Sequence, residues 1–138
     1  MCFNIHIEYP KKLIAEKNIT CYKRVVRLKD EIVCNIHHLE VMRIDTSKLR
    51  KSILLSPYRY QQYKTRVLYR SRLVDNKCNG CIHEGLHSHS SLRQAEIKRE
   101  DHYEKIIRCV IPKGAEYYYN PEEKEYVSNQ LRTIKLVR

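Results

Sequence analysis

The sequence of 138 residues contains no tryptophan, one phenylalanine and only three glycines. So few glycines leave little room for a glycine-rich phosphate loop, and neither G-x-x-x-x-G-K-[ST] nor G-x-G-x-x-G occurs. No apolar run approaches the roughly 18 residues that a membrane-spanning helix needs. The first residues, Met1 to His6, lack a basic segment followed by an apolar one. We therefore expect no signal peptide, no membrane partner and a cytoplasmic protein.

Acidic residues are scarce beside basic ones, with 16 Asp and Glu against 27 Lys and Arg and a formal net charge of +11. The segment 43–72 holds nine of the basic residues and one acid, with four tyrosines among them. Arginine presents a planar fork to phosphate, and tyrosine offers a ring face to a base. This pattern favours an anion-binding surface over a basic face that merely keeps the protein in solution. The predicted ligand-binding residues are Arg59, Tyr60, Lys64, Arg66, Tyr69, Arg70, Arg72 and His87.

The segment 65–74 is predicted to be one strand that carries three of these arginines. With a period of two, Arg66, Arg70 and Arg72 lie on one face, and core residues lie on the other. The opposite face would hold Val67, Tyr69 and Leu73. The C-terminal strand would extend the basic surface with Arg132, Lys135 and Arg138 if it lies beside residues 66–72.

The fold class that we predict is α+β, a mainly antiparallel sheet with one principal helix packed on a face, in a single domain over 1–138. Alternating or β-branched runs predict strands at 2–9, 19–28, 65–74, 82–88, 105–111, 115–120 and 125–137. Ser90 or Ser91 can cap a helix that runs to Glu104. The core candidates are Val25, Val26, Ile32, Val67, Leu73, Ile107, Val110, Ile111, Ile134 and Leu136.

Six cysteines without an export signal indicate reduced thiols rather than disulfides. Cys21, Cys34 and Cys109 lie in apolar runs and are expected to be small buried hydrophobes. Half of a zinc signature occurs further along, and its candidate ligands are Cys78, Cys81, His83 and His87, with His89 as the alternative to His87. A second C-x-x-C is missing, so a turn with two reduced thiols and exposed histidines is the favoured interpretation, and no cofactor is expected.

Three sequence blocks stand out: Met1-Cys2-x-x-Ile5 with the strand from Ile19, then Ser56-Pro57-Tyr58-Arg59 with Glu84-Gly85-Leu86-His87-Ser88, then Cys109 to Tyr118 with Glu125 to Asn129. In this order they resemble a family of small uncharacterised proteins from bacteriophages and gut bacteria. The resemblance implies a phage or bacterial cytoplasm and a small mixed fold, with no activity attached. In a phage, such a protein could act against host defence in the host cytoplasm.

A second resemblance, to the ADP-ribosyltransferase layout, involves Arg24, Ser88 and Glu125. It implies an arginine that grips the phosphates of NAD, a serine in the nicotinamide pocket and a late catalytic glutamate. His89 stands where that family's middle threonine would be, and no Glu-x-Glu or Gln-x-Glu occurs near the end.

Three hypotheses on function remain open. The leading one is a non-enzymatic protein that binds a phosphate-bearing ligand, either nucleic acid or a nucleotide. The alternatives are an enzyme that uses NAD and an interaction protein that meets an acidic protein partner. Steep salt dependence would favour nucleic acid, because each neutralised phosphate contributes about −0.7 to −0.9 to the log–log slope.

Overall fold

The computed structural model describes residues 3–4, 11–27, 54–55, 62–76, 81–99 and 104–138. Within these ranges the chain is mostly antiparallel strand, with one helix, α1 (Leu92–Lys98). The strands are β1 (Phe3–Asn4), β2 (Leu13–Ile14), β3 (Ile19–Arg27), β4 (Leu54–Leu55), β5 (Gln62–Tyr63), β6 (Leu68–Arg70), β7 (Val74–Asn76), β8 (Cys81–Glu84), β9 (Leu86–His89), β10 (Glu104–Ile111), β11 (Glu116–Asn120), β12 (Glu125–Ser128) and β13 (Gln130–Leu136). No helix in the described ranges is long and apolar enough to cross a membrane.

The larger sheet has ten strands and curls back on itself. Its main order is β2-β11-β12-β9-β3-β10-β13-β6, with β4 and β5 branching from β3. Asn129 alone separates β12 from β13, so one stretch of chain borders both β9 and β10. In the strand order, β9, β3 and β10 lie between β12 and β13. Because β12 and β13 are consecutive along the chain, these three strands must bend around a common interior. A second sheet has the order β1-β8-β7.

Alternation along β3 and β10 places the core in that interior. Cys21 and Val25 of β3, and Ile107, Cys109 and Ile111 of β10, are fully buried on one face. Leu86, Tyr63 and Leu131 join them in one apolar cluster. Burial of large apolar side chains contributes roughly 1.5–3 kcal/mol each, so this interior is the main source of stability.

The predicted α+β class agrees with the coarse architecture of a mostly antiparallel sheet and one helix in the described ranges. β3, β10 and β11 match the strands expected from their β-branched and aromatic runs within two residues. Strand 125–137 is interrupted at Asn129, whose backbone N–H donates to Glu116 O at 3.0 Å and whose carbonyl accepts from Ser71 N at 2.9 Å.

The prediction of one strand over 65–74 is wrong. Arg66 has φ 59° and lies in a turn, so β6 begins only at Leu68. After Arg70 the chain leaves the ten-stranded sheet, and β7 pairs with β8 in the other sheet. Arg66, Arg70 and Arg72 therefore do not share a strand face.

Four of the core candidates are confirmed, since Val25, Val26, Ile107 and Ile111 are at most 2% exposed. Leu136 is wrong as a core residue, because its side chain is 36% exposed near the end of β13. The others in the described ranges are only partly buried, namely Val67, Leu73, Val110 and Ile134. Ile32 lies outside the described residues, as do most of the predicted strand 2–9 and residues 100–103 of the predicted helix.

Ser91, one of the two predicted caps, caps α1, but the predicted end at Glu104 is wrong because α1 ends at Lys98 and Glu104 begins β10. Ser91 Oγ accepts a hydrogen bond from Gln94 N at 3.1 Å, which satisfies one of the free donors of the first turn. Ala95 is fully buried, and the carbonyl of Lys98 accepts a 2.6 Å hydrogen bond from Arg24 Nη1 of β3. The hydrogen bond from Arg24 ties the C-terminal end of the helix to β3 of the larger sheet.

Gly85 forms the corner at which the predicted strand 82–88 divides into β8 and β9. Its φ is +155°, and a Cβ atom placed there would lie 2.3 Å from Val127 Cγ2 and 2.9 Å from Leu73 Cδ1. Only a residue without a side chain allows β9 to approach β12 so closely.

We expect Gly85→Ala to lower the free energy of unfolding by about 3 kcal/mol, because overpacking adds to the backbone strain. Gly114→Ala is the matched control, since Gly114 also has a positive φ (+90°) but nothing within 4 Å of a new Cβ. The control should cost only about 1–2 kcal/mol. Urea unfolding of both variants measures the difference, and equal losses would show that the close packing at Gly85 contributes nothing.

Candidate functional site

The predicted ligand-binding residues do not form one group in the structure. Arg59 and Tyr60 lie outside the described residues. Lys64 and Arg66 are exposed in the turn between β5 and β6, which is held to β13 by Arg66 N donating to Thr133 O at 2.9 Å. Arg72 is also exposed, and its Nε lies 3.9 Å from Glu84 Oε2.

Tyr69 lies on the core face of β6, whereas Arg70, the next residue, lies on the other face. Its ring is 4.9 Å from that of Tyr63, and its cross-strand partner is the fully buried Leu131. Its hydroxyl accepts a hydrogen bond from the backbone N–H of Lys64. Tyr69 therefore packs the core beneath the exposed face, as the alternation around it predicts.

Arg70 belongs to a line of cationic side chains that runs across three neighbouring strands. In the register of β6 with β13, Leu68 pairs with Arg132 and Arg70 with Gln130. In the register of β13 with β10, Arg132 pairs with Val110 and Lys135 with Arg108. Directly opposed residues share a face, and so do residues two apart in a strand. Arg70, Arg132, Arg108 and Lys135 therefore lie on the same face, and we call these four residues the cationic track.

The track confirms that the C-terminal strand lies beside the basic segment, because β13 pairs with β6. Successive members are direct or diagonal cross-strand neighbours, which stand about 5–8 Å apart. Arg70, Arg132 and Lys135 are exposed and Arg108 is partly buried. Arg138 does not join them, because its Nε forms a 2.8 Å ion pair with Glu96 of α1.

The members of the cationic track differ from nearby cations because they lack acidic partners among the described residues. Acidic partners neutralise Arg24, Lys12 and Lys98, through Glu104 at 3.6 Å, Glu116 at 3.4 Å and Glu123 respectively. No acidic side chain of the described ranges pairs with any member of the track. Arg108 Nε is buried and has no hydrogen-bond acceptor among the described residues. The positive charge is thus uncompensated along this line.

Nearer α1, the same face carries a polar cluster centred on His89. Arg24 Nε donates to His89 Nε2 at 3.2 Å, and His89 Nδ1 lies 3.7 Å from Glu125 Oε1. Burial, reinforced by the charge of Arg24, lowers the pKa of His89 to about 3. His89 is therefore neutral at physiological pH, and its approach to Glu125 is not an ion pair there. Burial also raises the pKa of Glu125.

The residues that resemble an ADP-ribosyltransferase are only partly brought together. Arg24 and Glu125 both approach the imidazole of His89. Ser88 precedes His89 in β9, pairs with Tyr126 and is buried on the opposite face of the sheet. Arg24 also donates to Lys98 O and lies 3.6 Å from Glu104, so protein acceptors already surround its guanidinium.

The zinc candidates cannot be compared as a set. Cys78 lies outside the described residues, as do the side chains of Cys81 and His83. His87 is half-buried in β9 of the larger sheet, whereas Cys81 and His83 belong to β8 of the smaller one. Among the described residues, no group of three or more His, Cys, Asp or Glu could hold a metal ion.

A lysine that the sequence did not single out lies in the interior. Lys23 is 8% exposed, its Nζ donates to His87 O at 2.7 Å, and it lies 5.1 Å from the centre of the Tyr63 ring. Burial lowers the pKa of Lys23 to about 8 and raises the pKa of the neighbouring Cys21 thiol to about 11. Cys21 and Cys109 are buried free thiols, as predicted, whereas Cys34 lies outside the described residues.

Sequence reasoning missed two residues of the exposed face, Tyr22 and Arg108. The signal was present, because each lies one residue away from buried positions in a strongly predicted strand. What the sequence lacked was the strand order that makes them cross-strand partners of each other.

No protein-family model, no curated protein and no solved structure matches this chain. The resemblance to phage and gut-bacterial proteins, and the cytoplasmic location that it implies, therefore stay predictions.

We expect Lys23→Met to stabilise the protein by about 2 kcal/mol at pH 7. The lowered pKa corresponds to a cost of about 3 kcal/mol for burying the ammonium, against about 1 kcal/mol for the lost hydrogen bond to His87 O. The unfolded lysine keeps its usual pKa of 10.5, so the cost is complete below pH 8 and disappears as the pH rises toward 10.5.

Chemical unfolding of the variant and the wild type between pH 7 and pH 10.5 measures this difference. Lys113→Met, at an exposed lysine, is the control and should stay within about 0.5 kcal/mol of the wild type. A gap between Lys23→Met and the wild type that does not narrow with rising pH would contradict the assignment.

Proposed function

We propose that the protein binds nucleic acid through the cationic track, without catalysis. The observation that carries the proposal is the absence of acidic partners along Arg70, Arg132, Arg108 and Lys135 in the described ranges, whereas nearby cations are paired. Uncompensated cations on one surface create a field that attracts polyanions.

The arrangement of the track favours an extended polyanion over a small nucleotide. A nucleotide site needs cations that converge on one concave pocket. Here Arg70, Arg132 and Arg108 follow one another from β6 through β13 to β10, with Lys135 beside Arg108, and a series of this kind matches phosphates repeated along a strand. We also propose that α1 covers the other end of this face, over Ile106 and Arg24, and leaves the track open.

The charge of the track should dominate the salt dependence of binding. The variant Arg70→Gln with Arg132→Gln and Lys135→Gln removes three exposed charges and leaves the partly buried Arg108 in place. Fluorescence anisotropy with labelled oligonucleotides at several salt concentrations should show a log–log slope reduced by about 2, together with at least about tenfold weaker binding.

A matched control separates the track from net charge. Lys17→Gln with Arg93→Gln and Arg99→Gln removes the same charge from exposed positions outside the cationic track. The control should bind almost as the wild type does. Equal losses in both triple variants would contradict the track, and a wild type that binds no oligonucleotide would contradict the function and favour an acidic protein partner.

An enzyme that uses NAD is a second candidate, favoured by the approach of both Arg24 and Glu125 to His89. This candidate requires release of nicotinamide by the wild type and a loss of about 100-fold or more in Glu125→Gln, which removes a charge from the proposed transition-state site. Glu123→Gln, at a neighbouring exposed carboxylate, is the control. Chromatography of NAD incubated with the wild type decides it, and no turnover would exclude this candidate.

A further inference from the structure

We propose that the nucleic acid on the cationic track is single-stranded and that one of its bases stacks on the ring of Tyr22. This inference rests on the proposed function and names the class of ligand.

Tyr22 continues the track onto the next strand. In the register of β3 with β10 it is the direct partner of Arg108, so it lies on the face that carries the four cations. Arg70, Arg132, Arg108 and Tyr22 thus supply one side chain from each of four successive strands, β6, β13, β10 and β3. A strand whose phosphates follow the arginines would bring a base to Tyr22.

The ring of Tyr22 differs from the other tyrosine rings of the sheet. Tyr63 packs against Tyr69, and Tyr126 packs against both Tyr117 and Tyr119. Among the described residues, no other tyrosine ring packs on Tyr22, which is only partly buried. On the far side its cross-strand partner is His89, whose imidazole is held by Arg24. The register therefore places Tyr22 between Arg108 and His89, with no tyrosine ring of the described residues packed on it.

The surface around Tyr22 suits unpaired bases better than a duplex. Bases in a duplex stack on each other and show only their edges in the grooves, so a ring that lies within a sheet surface cannot reach their faces. In a single strand the bases can turn outward and stack on an aromatic side chain while cations follow the backbone. A cationic line with one aromatic ring at its end therefore fits a single strand.

Tyr22→Trp turns the proposed contact into a measurement, because the chain has no tryptophan and the new indole would be the sole one. The ligands are single strands of about 12 nucleotides, as DNA and as RNA, duplexes of the same sequence, and an abasic strand with the same phosphates. We expect base-bearing single strands to quench the tryptophan fluorescence, and the abasic strand to bind at low salt without quenching it.

Affinity gives an independent readout. Removal of the ring in Tyr22→Leu should weaken binding of base-bearing single strands about 5- to 150-fold and leave the abasic strand unaffected, whereas Tyr22→Phe keeps the ring and the affinity. If Tyr22→Leu does not fold, the quenching of Tyr22→Trp still decides the question.

The possible failures are distinguishable. Binding of all ligands without quenching, or with a preference for the duplex, would overturn the stacking at Tyr22 and leave the proposed function standing. Absence of binding to every ligand, the abasic strand included, would overturn both.

Discussion

The continuous pairing of β3 with β10 is the constraint on which the rest of the structure depends. Its eight registered pairs fix which side chains of both strands face the interior. Cys21 lies opposite Cys109 in the core, while Tyr22 lies opposite Arg108 on the outer face. A shift of one residue would bury the arginine and expose the thiols, so burial of the core also specifies the outer surface.

The cations of β3 and β10 differ in the partners that the protein supplies for them. In the interior, Lys23 is accommodated by a carbonyl and an aromatic ring, and its lowered pKa reflects the cost of burying it. Close to α1, Arg24 is surrounded by Glu104, His89 and the carbonyl of Lys98. Arg108 lies in β10 two residues beyond Ile106, the cross-strand partner of Arg24. It has no such partners in the described ranges. An excess of basic residues is therefore concentrated where the protein does not neutralise it.

The sequence predicted individual strands better than their connections. The run from Lys105 to Ile111 has isoleucine at most of its buried positions, so local preference and burial agree and β10 forms as expected. The run from Thr65 to Val74 is also predicted to be one strand, yet Arg66 turns the chain with a positive φ and Ser71 N bonds to Asn129 O instead of continuing the strand. Tertiary hydrogen bonds decided the second case, and no local pattern records them.

The candidate site was likewise only partly predictable, because it depends on the order of the strands. Arg70 could be identified from composition, but Arg108 could not, because the second half of the sequence has a nearly balanced charge. Only the order of β6, β13 and β10 places Arg108 beside Lys135 and in line with Arg132. A local excess of charge along the chain is thus a weak guide to a binding surface in a sheet protein. Strands distant in sequence can assemble a cationic line from residues that look unremarkable in their own segments.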